Sequence, residues 1–432
     1  MVVDGGDLFW KSSSLPKADV EQRLLKAELQ ARAFALGGVD AMVPGEGDLA
    51  LGLQAFSRLT TDHGIPVLAG NLVCGTTTWP LTRTVERGGH TIGLIGVVGV
   101  PGEGCELSAQ PKAAAAQGVE ELGDVDVVVL VSHSTSAVDQ AISRDVEGID
   151  FIVNGHGRQS WGNPRPLDGG GFHLASGSRS KKLGWLRMTF VEGAESWIDA
   201  GGAVQLEEER DRLEERLAKA RADLDGADDE TLSARYQTRI DYYEAELAEV
   251  RAEILALESA PEVLAHSFQN QLVPLDTKYD GHAATDVMVQ ATKEAISGLA
   301  PPVVESDAPS GPFLGSQSCR GCHTTQYEQW TTTGHAQAYD TLVKARRHLE
   351  SDCFSCHVTG AGMGGPTTAH DVGPLKNVGC ESCHGPGEEH LADEDKGHTM
   401  NPPAKAICTS CHDGERDEGA FVYEEYLPRV RH

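Results

Sequence analysis

The 432-residue chain has no apolar run approaching 18 residues, so the sequence offers no helix able to span a bilayer. Its start, MVVDGGDLFWKSSS, lacks the basic stretch and following apolar stretch of a secretory signal. Cations are scarce, with 36 Lys and Arg against 65 Asp and Glu and a net charge of -29. A nucleic-acid groove or an anionic membrane surface requires the opposite sign, so neither is expected as a partner. Ten cysteines are too few for a disulfide scaffold. Apolar residues reach 40%, enough for a true core rather than a disordered chain. At about 150 residues per domain, this length suggests two or three domains.

The cysteines that are present are placed unevenly. Eight of the ten follow residue 315, as Cys319-Arg-Gly-Cys322-His323, Cys353-Phe-Ser-Cys356-His357, Cys380-Glu-Ser-Cys383-His384 and Cys408-Thr-Ser-Cys411-His412. Chance predicts about 0.01 C-x-x-C-H strings at these Cys and His frequencies. Two thiols three residues apart can each add to one vinyl group of a haem, and the next residue, His, then reaches the iron. Zinc ribbons also use C-x-x-C pairs, but they do not require a His after each second Cys. Four c-type haems are therefore expected. At about 30 residues per motif, residues 316–432 cannot build an ordinary core, so the haems themselves must provide it.

This segment resembles the multihaem cytochromes of the cytochrome c554 type. The resemblance rests on Trp330-Thr-Thr-Thr-Gly-His335-Ala after the first motif, on Cys353 to Gly360, and on Val378-Gly-Cys380-Glu-Ser-Cys383-His384-Gly-Pro-Gly-Glu-Glu-His390. It also includes the aromatic tail from Phe421 to His432. It implies His335, His390 and His432 as distal ligands. Three distal ligands for four haems leave one haem in doubt; one haem of the resembled family is five-coordinate, and the resemblance implies that by position it is the one on Cys353, Cys356 and His357. His348, His370 and His398 read as surface residues, with distal ligation the alternative for each, and Met363, in a Gly-rich run, as a gap filler, with ligation its alternative.

Upstream, strand patterns at 41–43, 67–72, 91–98, 125–132, 151–154 and 186–190 alternate with helical patterns at 18–36, 49–63, 113–122 and 137–146. This alternation argues an α/β fold with its site in the loops after the strands. Those loops carry Asp4-Gly-Gly6-Asp7, Gly45-Glu46-Gly47-Asp48, Ser132-His133 and Gly155-His156-Gly157-Arg158. Together they resemble the calcineurin-like metallophosphoesterases of the 5'-nucleotidase branch. The resemblance implies metal ligation by Asp7, Glu46, His133 and His156, and departs from the family in three places. Glu46 stands for an Asn, Gly47 for a catalytic His, and Arg158 for a metal-binding His. The D-x-H block that should precede Asp4 is absent. The implied domain is thus a degenerate scaffold holding at most one divalent metal.

Residues 1–200 are expected to form this metallophosphoesterase-like α/β domain. Heptad-like seams over 204–224 and 231–257, broken at 225–229, predict a helical hairpin within 201–260. Solvated faces and a self-associating coiled coil are its two readings. A short extended and helical segment (261–300) and a Pro/Ser/Gly linker (301–315) precede the mostly α or irregular tetrahaem module (316–432). His266 and His282 read as surface residues. Cys74 and Cys105 read either as a disulfide or as free thiols.

The functional expectation is extracytoplasmic electron transfer to a redox partner with a basic docking face. A haem-based reductase or oxidase and a metal-dependent phosphoesterase are the alternatives. Bacterial haem attachment occurs outside the cytoplasm, so a periplasmic or extracellular location is expected, with the missing signal and D-x-H block both lying ahead of residue 1.

Overall fold

The computed structural model describes the chain apart from residues 11–19, 158–159, 161–162, 179, 227–229, 259–263, 277, 300–310, 367–370, 394–399, 401–402 and 414–420. Arg158, His370 and His398 therefore lie outside the described residues, as does most of the expected linker. The chain forms two compact units, Met1–Leu15 with Gln30–Gly281 and Pro16–Leu29 with His282–His432.

The first unit runs β1 (Val3–Asp4), the latter part of α1 (Val20–Gly37), β2 (Ala41–Met42), α2 (Gly52–Asp62), β3 (Leu72–Cys74), β4 (Thr77–Thr78), β5 (Thr82–Arg87) and β6 (His90–Val98). It continues with β7 (Cys105–Leu107), α3 (Pro111–Leu122), β8 (Val127–His133), α4 (Ser136–Asp145), β9 (Phe151–Asn154), β10 (Arg165–Pro166) and β11 (Phe172–Leu174). It ends with β12 (Lys182–Thr189), β13 (Trp197–Asp199), α5 (Gly202–Asp225), α6 (Glu230–Glu258) and β14 (His266–Pro274).

The main sheet has the order β10-β11-β9-β8-β6-β5. Its inner four strands are parallel, and the outer two join antiparallel. Every residue of β8, Val-Val-Val-Leu-Val-Ser-His, is buried. A strand covered on both faces has no solvent side, so it reads as a continuous apolar run rather than an alternation. Ala114, Ala115 and Ile142 of the two helices pack on Ile95, Val97, Leu130 and Ile152.

The expected strand at 67–72 is corrected. Val67 makes only an isolated bridge to Met42, and the strand begins at Leu72. Asn71 explains the offset: its side chain is spent on the backbone of Val98 and Ala109, so it acts as a tie between loops. Cys74 and Cys105 are cross-strand partners of β3 and β7 and form a disulfide. Residues 266–274 form β14, which pairs with β12 and β13 in a three-stranded sheet. His266 is half-buried there, between Phe190 and Trp197, rather than on the surface.

Helices α5 and α6 pack against each other as an antiparallel pair. Leu213, Leu217 and Ala220 pack against Ile240 and Leu247, with Leu224, Tyr243 and Val250 beside them. Arg221–Glu244 and Arg251–Glu214 cross between the helices in antiparallel register at 2.7 and 2.8 Å.

The second unit holds the first half of α1 and α7 (Ala283–Leu299), then short helices between loops: α8 (Ser316–Cys319), α9 (Thr324–Thr331), α10 (Ala338–Lys344) and α11 (Ser351–Phe354). These are followed by α12 (Cys380–His384), α13 (Glu388–Ala392), α14 (Lys405–Thr409) and α15 (Tyr423–Val430). Among the described residues, Tyr339, Phe354, Val358 and Val372 cluster with Leu349 and Ala361 beside them. The buried Glu381 carboxylate accepts hydrogen bonds from the backbone of Leu314, Gly315 and Gly387. That one side chain holds the start of the module to the segment after the third motif.

Candidate functional site

The parallel strands end side by side, which brings β1, β8 and β9 to one edge of the first unit. Beyond β1, Gly6 and Asp7 adopt φ of +102° and +56°, turning the Asp7 carboxylate back toward the sheet. Its Oδ1 accepts from Gly47 N at 2.8 Å. The fully buried Asp48 accepts from the backbone of Asp7, Phe9 and Gly45, clamping the two loops together.

His133, at the end of β8, has no exposed side-chain surface. Its Nδ1 donates to Gly5 O at 2.6 Å, which leaves Nε2 facing Glu46 Oε2 at 2.9 Å. His156 Nδ1 lies 3.2 Å from the same Nε2, and Asp7 Oδ2 lies 3.8 Å from it. The ligand atoms of Glu46, His133 and His156 fall within 4.8 Å of one another. Two imidazole nitrogens and the Glu46 carboxylate, bordered by Asp7 but without it in the cluster, suit a divalent cation, and the Gly5 carbonyl fixes the tautomer that ligation needs.

Behind them, buried Asp139 accepts from Ser132 Oγ, Asn154 Nδ2 and His173 Nε2 at 2.6, 2.6 and 2.9 Å. Asn154 Oδ1 in turn accepts from His156 N. This network ties the two histidine-bearing loops to α4.

The electrostatics match a site built for positive charge. The His133 hydrogen bond holds Glu46 down at about 2. Burial pulls His133 down, but its contacts with Glu46, Asp7 and Gly5 outweigh that and raise it. Desolvation pushes Asp4 to about 6, Asp48 to about 7 and Asp7 upward. Gly47 has no room for a side chain, because a Cβ there would sit 2.6 Å from Trp10 O and 2.7 Å from Asp7 Oδ1.

In the second unit each C-x-x-C-H begins in or beside a short helical turn, so the two thiols lie one turn apart. Backbone bonds from His323 N to Cys319 O and from His412 N to Cys408 O close that turn. None of these eight cysteines forms a disulfide among the described residues. Cys319 of the first motif hydrogen-bonds Cys380 of the third, which raises the first thiol and lowers the second. Burial raises Cys383, and Cys408 of the fourth motif is close enough to raise it further. The attachment points of the first, third and fourth motifs are therefore neighbours.

Three imidazole pairs face each other across gaps. Ring centroids are 6.2 Å apart for His323 and His390, 6.2 Å for His335 and His412, and 5.7 Å for His384 and His432. Two metal–imidazole bonds of about 2 Å, plus about 1 Å from each nitrogen to its ring centre, span about 6 Å. The gaps thus fit an iron held on both sides. Phe421 stacks on His412 at 4.3 Å and fixes the plane of that ring, a contact the spacing of the motifs could not reveal.

His357 differs. Its Nδ1 donates to Ala338 O at 2.6 Å, leaving Nε2 as a ligand atom, but among the described residues no second imidazole is paired with it. His348, expected on the surface, is half-buried with its ring edge on Tyr339. Met363 is 59% exposed and fills no gap.

Comparison with known proteins finds likenesses among solved structures and a family match near the C-terminus. In solved structures, the chain is similar to a 5'-nucleotidase precursor from Thermus thermophilus (14% identity, TM-score 0.44, covering 72% of this chain and 52% of that one). It is also similar to the Thermus thermophilus sulfate thiohydrolase SoxB (23% identity, TM-score 0.37, covering 45% and 36%). It therefore spans about half or less of those chains. The family described as Cytochrome c554 and c-prime matches residues 318–385. Cytochrome c-554 of Nitrosomonas europaea is 37% identical over 164 residues, covering 29% of this chain and 70% of that protein. Through its C-terminal segment, the chain belongs to the cytochrome c554 family.

Proposed function

We propose that this protein transfers electrons through four covalently bound c-type haems, carried beside a phosphoesterase-like domain that serves as a scaffold. The observation that carries the reading is the set of three imidazole pairs at 5.7–6.2 Å. Cys319 and Cys322 with His323 and His390 would hold the first haem. Cys380 and Cys383 with His384 and His432 would hold the third, and Cys408 and Cys411 with His412 and His335 the fourth. Cys353, Cys356 and His357 would hold the second with one face open. When bound, the haems supply reversible Fe(III)/Fe(II) chemistry, and bis-His ligation suits it to electron transfer rather than catalysis.

The chain's own residues orient the ligands. The Ala338 carbonyl fixes His357, Phe421 fixes His412, and the adjoining thiols of the first, third and fourth motifs support close haem packing. The net charge of -29 favours a redox partner with a basic face, and such steering weakens with salt. Covalent haem attachment implies export, and no helix among the described residues is long and apolar enough to cross a membrane.

A pyridine haemochrome assay with a ferric spectrum tests the reading. Four haems per chain, mostly low-spin, are expected; fewer than four would overturn it.

A second reading rests on Glu46, His133, His156 and Asp7, which would hold one divalent cation. Hydrolysis of a generic phosphodiester with added manganese or zinc tests whether that cation is catalytic. No turnover is expected, because Gly47 offers no acid to the leaving group.

A further inference from the structure

The first half of α1 lies far in sequence from the cytochrome segment, yet it is part of the second unit. Gln22, Arg23 and Lys26 share one helical face and meet residues 349–352, immediately before the second motif. Gln22 Nε2 donates to Leu349 O at 2.8 Å. Arg23 grips Asp352 with both terminal nitrogens, at 2.9 and 3.2 Å. Lys26 Nζ bridges Glu350 Oε2 at 2.9 Å and Asp352 Oδ2 at 3.1 Å. From the other side Arg347 forks onto both Glu350 oxygens at 2.9 and 3.0 Å.

The Glu350 side chain is only 6% exposed, and that of Lys26 23%. The Glu350 carbonyl accepts from Cys353 N at 3.0 Å and Phe354 N at 3.2 Å, so it opens the turn bearing Cys353. Arg347, Glu350, Lys26 and Asp352 are all close enough to act electrostatically on the Cys353 sulfur. Three cations against two carboxylates make this patch net positive in a strongly acidic chain.

A clamp alone does not account for these residue types. Desolvating several charges costs about as much as their attraction returns, and apolar contacts would hold α1 equally well. Charges do what apolar contacts cannot: they set the field at a nearby redox centre. The ferric state carries one more positive charge than the ferrous state. A neighbouring cation therefore favours reduction, and a neighbouring carboxylate opposes it.

We propose that Lys26 and Glu350 are opposed tuning residues for the haem on Cys353, Cys356 and His357, with the cation supplied by a helix outside the cytochrome segment. This rests on the tetrahaem reading. Arg23 and Gln22 position Lys26, and Arg347 holds Glu350 ionised. Burial opposes that ionisation, but the Arg347 and Lys26 hydrogen bonds outweigh it and keep Glu350 below the usual carboxylate range.

The test is a potentiometric titration of the full haem-loaded chain, followed optically, for wild type, Lys26→Met, Lys26→Arg and Glu350→Gln. Lys26→Met should shift one component to lower potential, Glu350→Gln should shift the same component to higher potential, and Lys26→Arg should restore it. Haem content should stay constant. Loss of a clamp would loosen the site identically in both variants, so shifts of the same sign, or no shift, overturn the proposal. If Glu350→Gln does not accumulate, Lys26→Met against Lys26→Arg decides alone. A wild type with fewer than four haems would instead sink the tetrahaem reading, separately from the tuning role.

Discussion

Replacing His335 with Ala removes an imidazole without disturbing the backbone that carries it. His335 O accepts from Val378 N, and Trp330 Nε1 donates to Val378 O, so the segment stays tied down in the variant. Desolvation, then the nearby His412, lowers His335, so the ring is neutral at pH 7, as ligation requires. If His335 and His412 hold one haem iron between them, the variant would leave that iron His412 alone. If each of the four motifs holds one haem, the high-spin share of ferric iron should rise by one quarter of the total. That increment does not depend on whether the His357 haem is already open. Quantitative electron paramagnetic resonance of the oxidised protein measures it, with haem content as the control. His390→Ala should add a further quarter in the double variant, and His348→Ala should add nothing. An unchanged high-spin share in His335→Ala, with four haems retained, would refute the pairing of His335 with His412.

Further perturbations address the rest of the chain. The Cys74–Cys105 crosslink spans 31 residues. The chain-entropy model gives it about 4 kcal/mol, so Cys74→Ser/Cys105→Ser should lower the urea midpoint of the first unit. His133→Ala should abolish manganese or zinc binding measured by elemental analysis. In the wild type that binding should weaken as pH falls, because the raised pKa of His133 makes protons better competitors. In the hairpin, Leu217 is buried against α6, and Leu217→Ala should cost about 2–5 kcal/mol, visible as an earlier helical melt by circular dichroism.

What the sequence discloses divides along local and non-local lines. The C-x-x-C-H motifs are spacing within five residues, and β8 is an uninterrupted apolar run, so both are legible. Strand β5, Thr-Arg-Thr-Val-Glu-Arg, is a polar edge strand that buries only Val85, and it leaves almost no apolar signal. Strand β14 reads as an isolated extended run because its partners β12 and β13 lie across the whole helical hairpin. The three histidines expected as distal ligands are visible as residues, but which motif each one faces needs the fold. His335, nearest the first motif, faces the fourth. The Lys26–Glu350 pair joins residues more than 300 positions apart, and no periodicity announces it.

If the first unit is a phosphoesterase-like scaffold, its fold would persist without the chemistry, and the reason would lie in the backbone around residue 47. The phosphoesterase resemblance places a catalytic His where Gly47 stands, and the obvious repair is Gly47→His with Glu46→Asn. The geometry argues against it. A Cβ at residue 47 collides with Trp10 O, a backbone atom, and with the Asp7 carboxylate that would itself be a metal ligand. The Gly47 N–H is already committed to that carboxylate at 2.8 Å. Making room for the His would therefore displace Asp7, and removing Glu46 would take away the partner that orients His133. The double variant should lose metal affinity relative to wild type and show no phosphodiester turnover, measured by metal titration and release of a chromogenic phenol. Turnover with metal retained would show that the loop can yield at residue 47, and that only the side chains, not the backbone around them, had been lost.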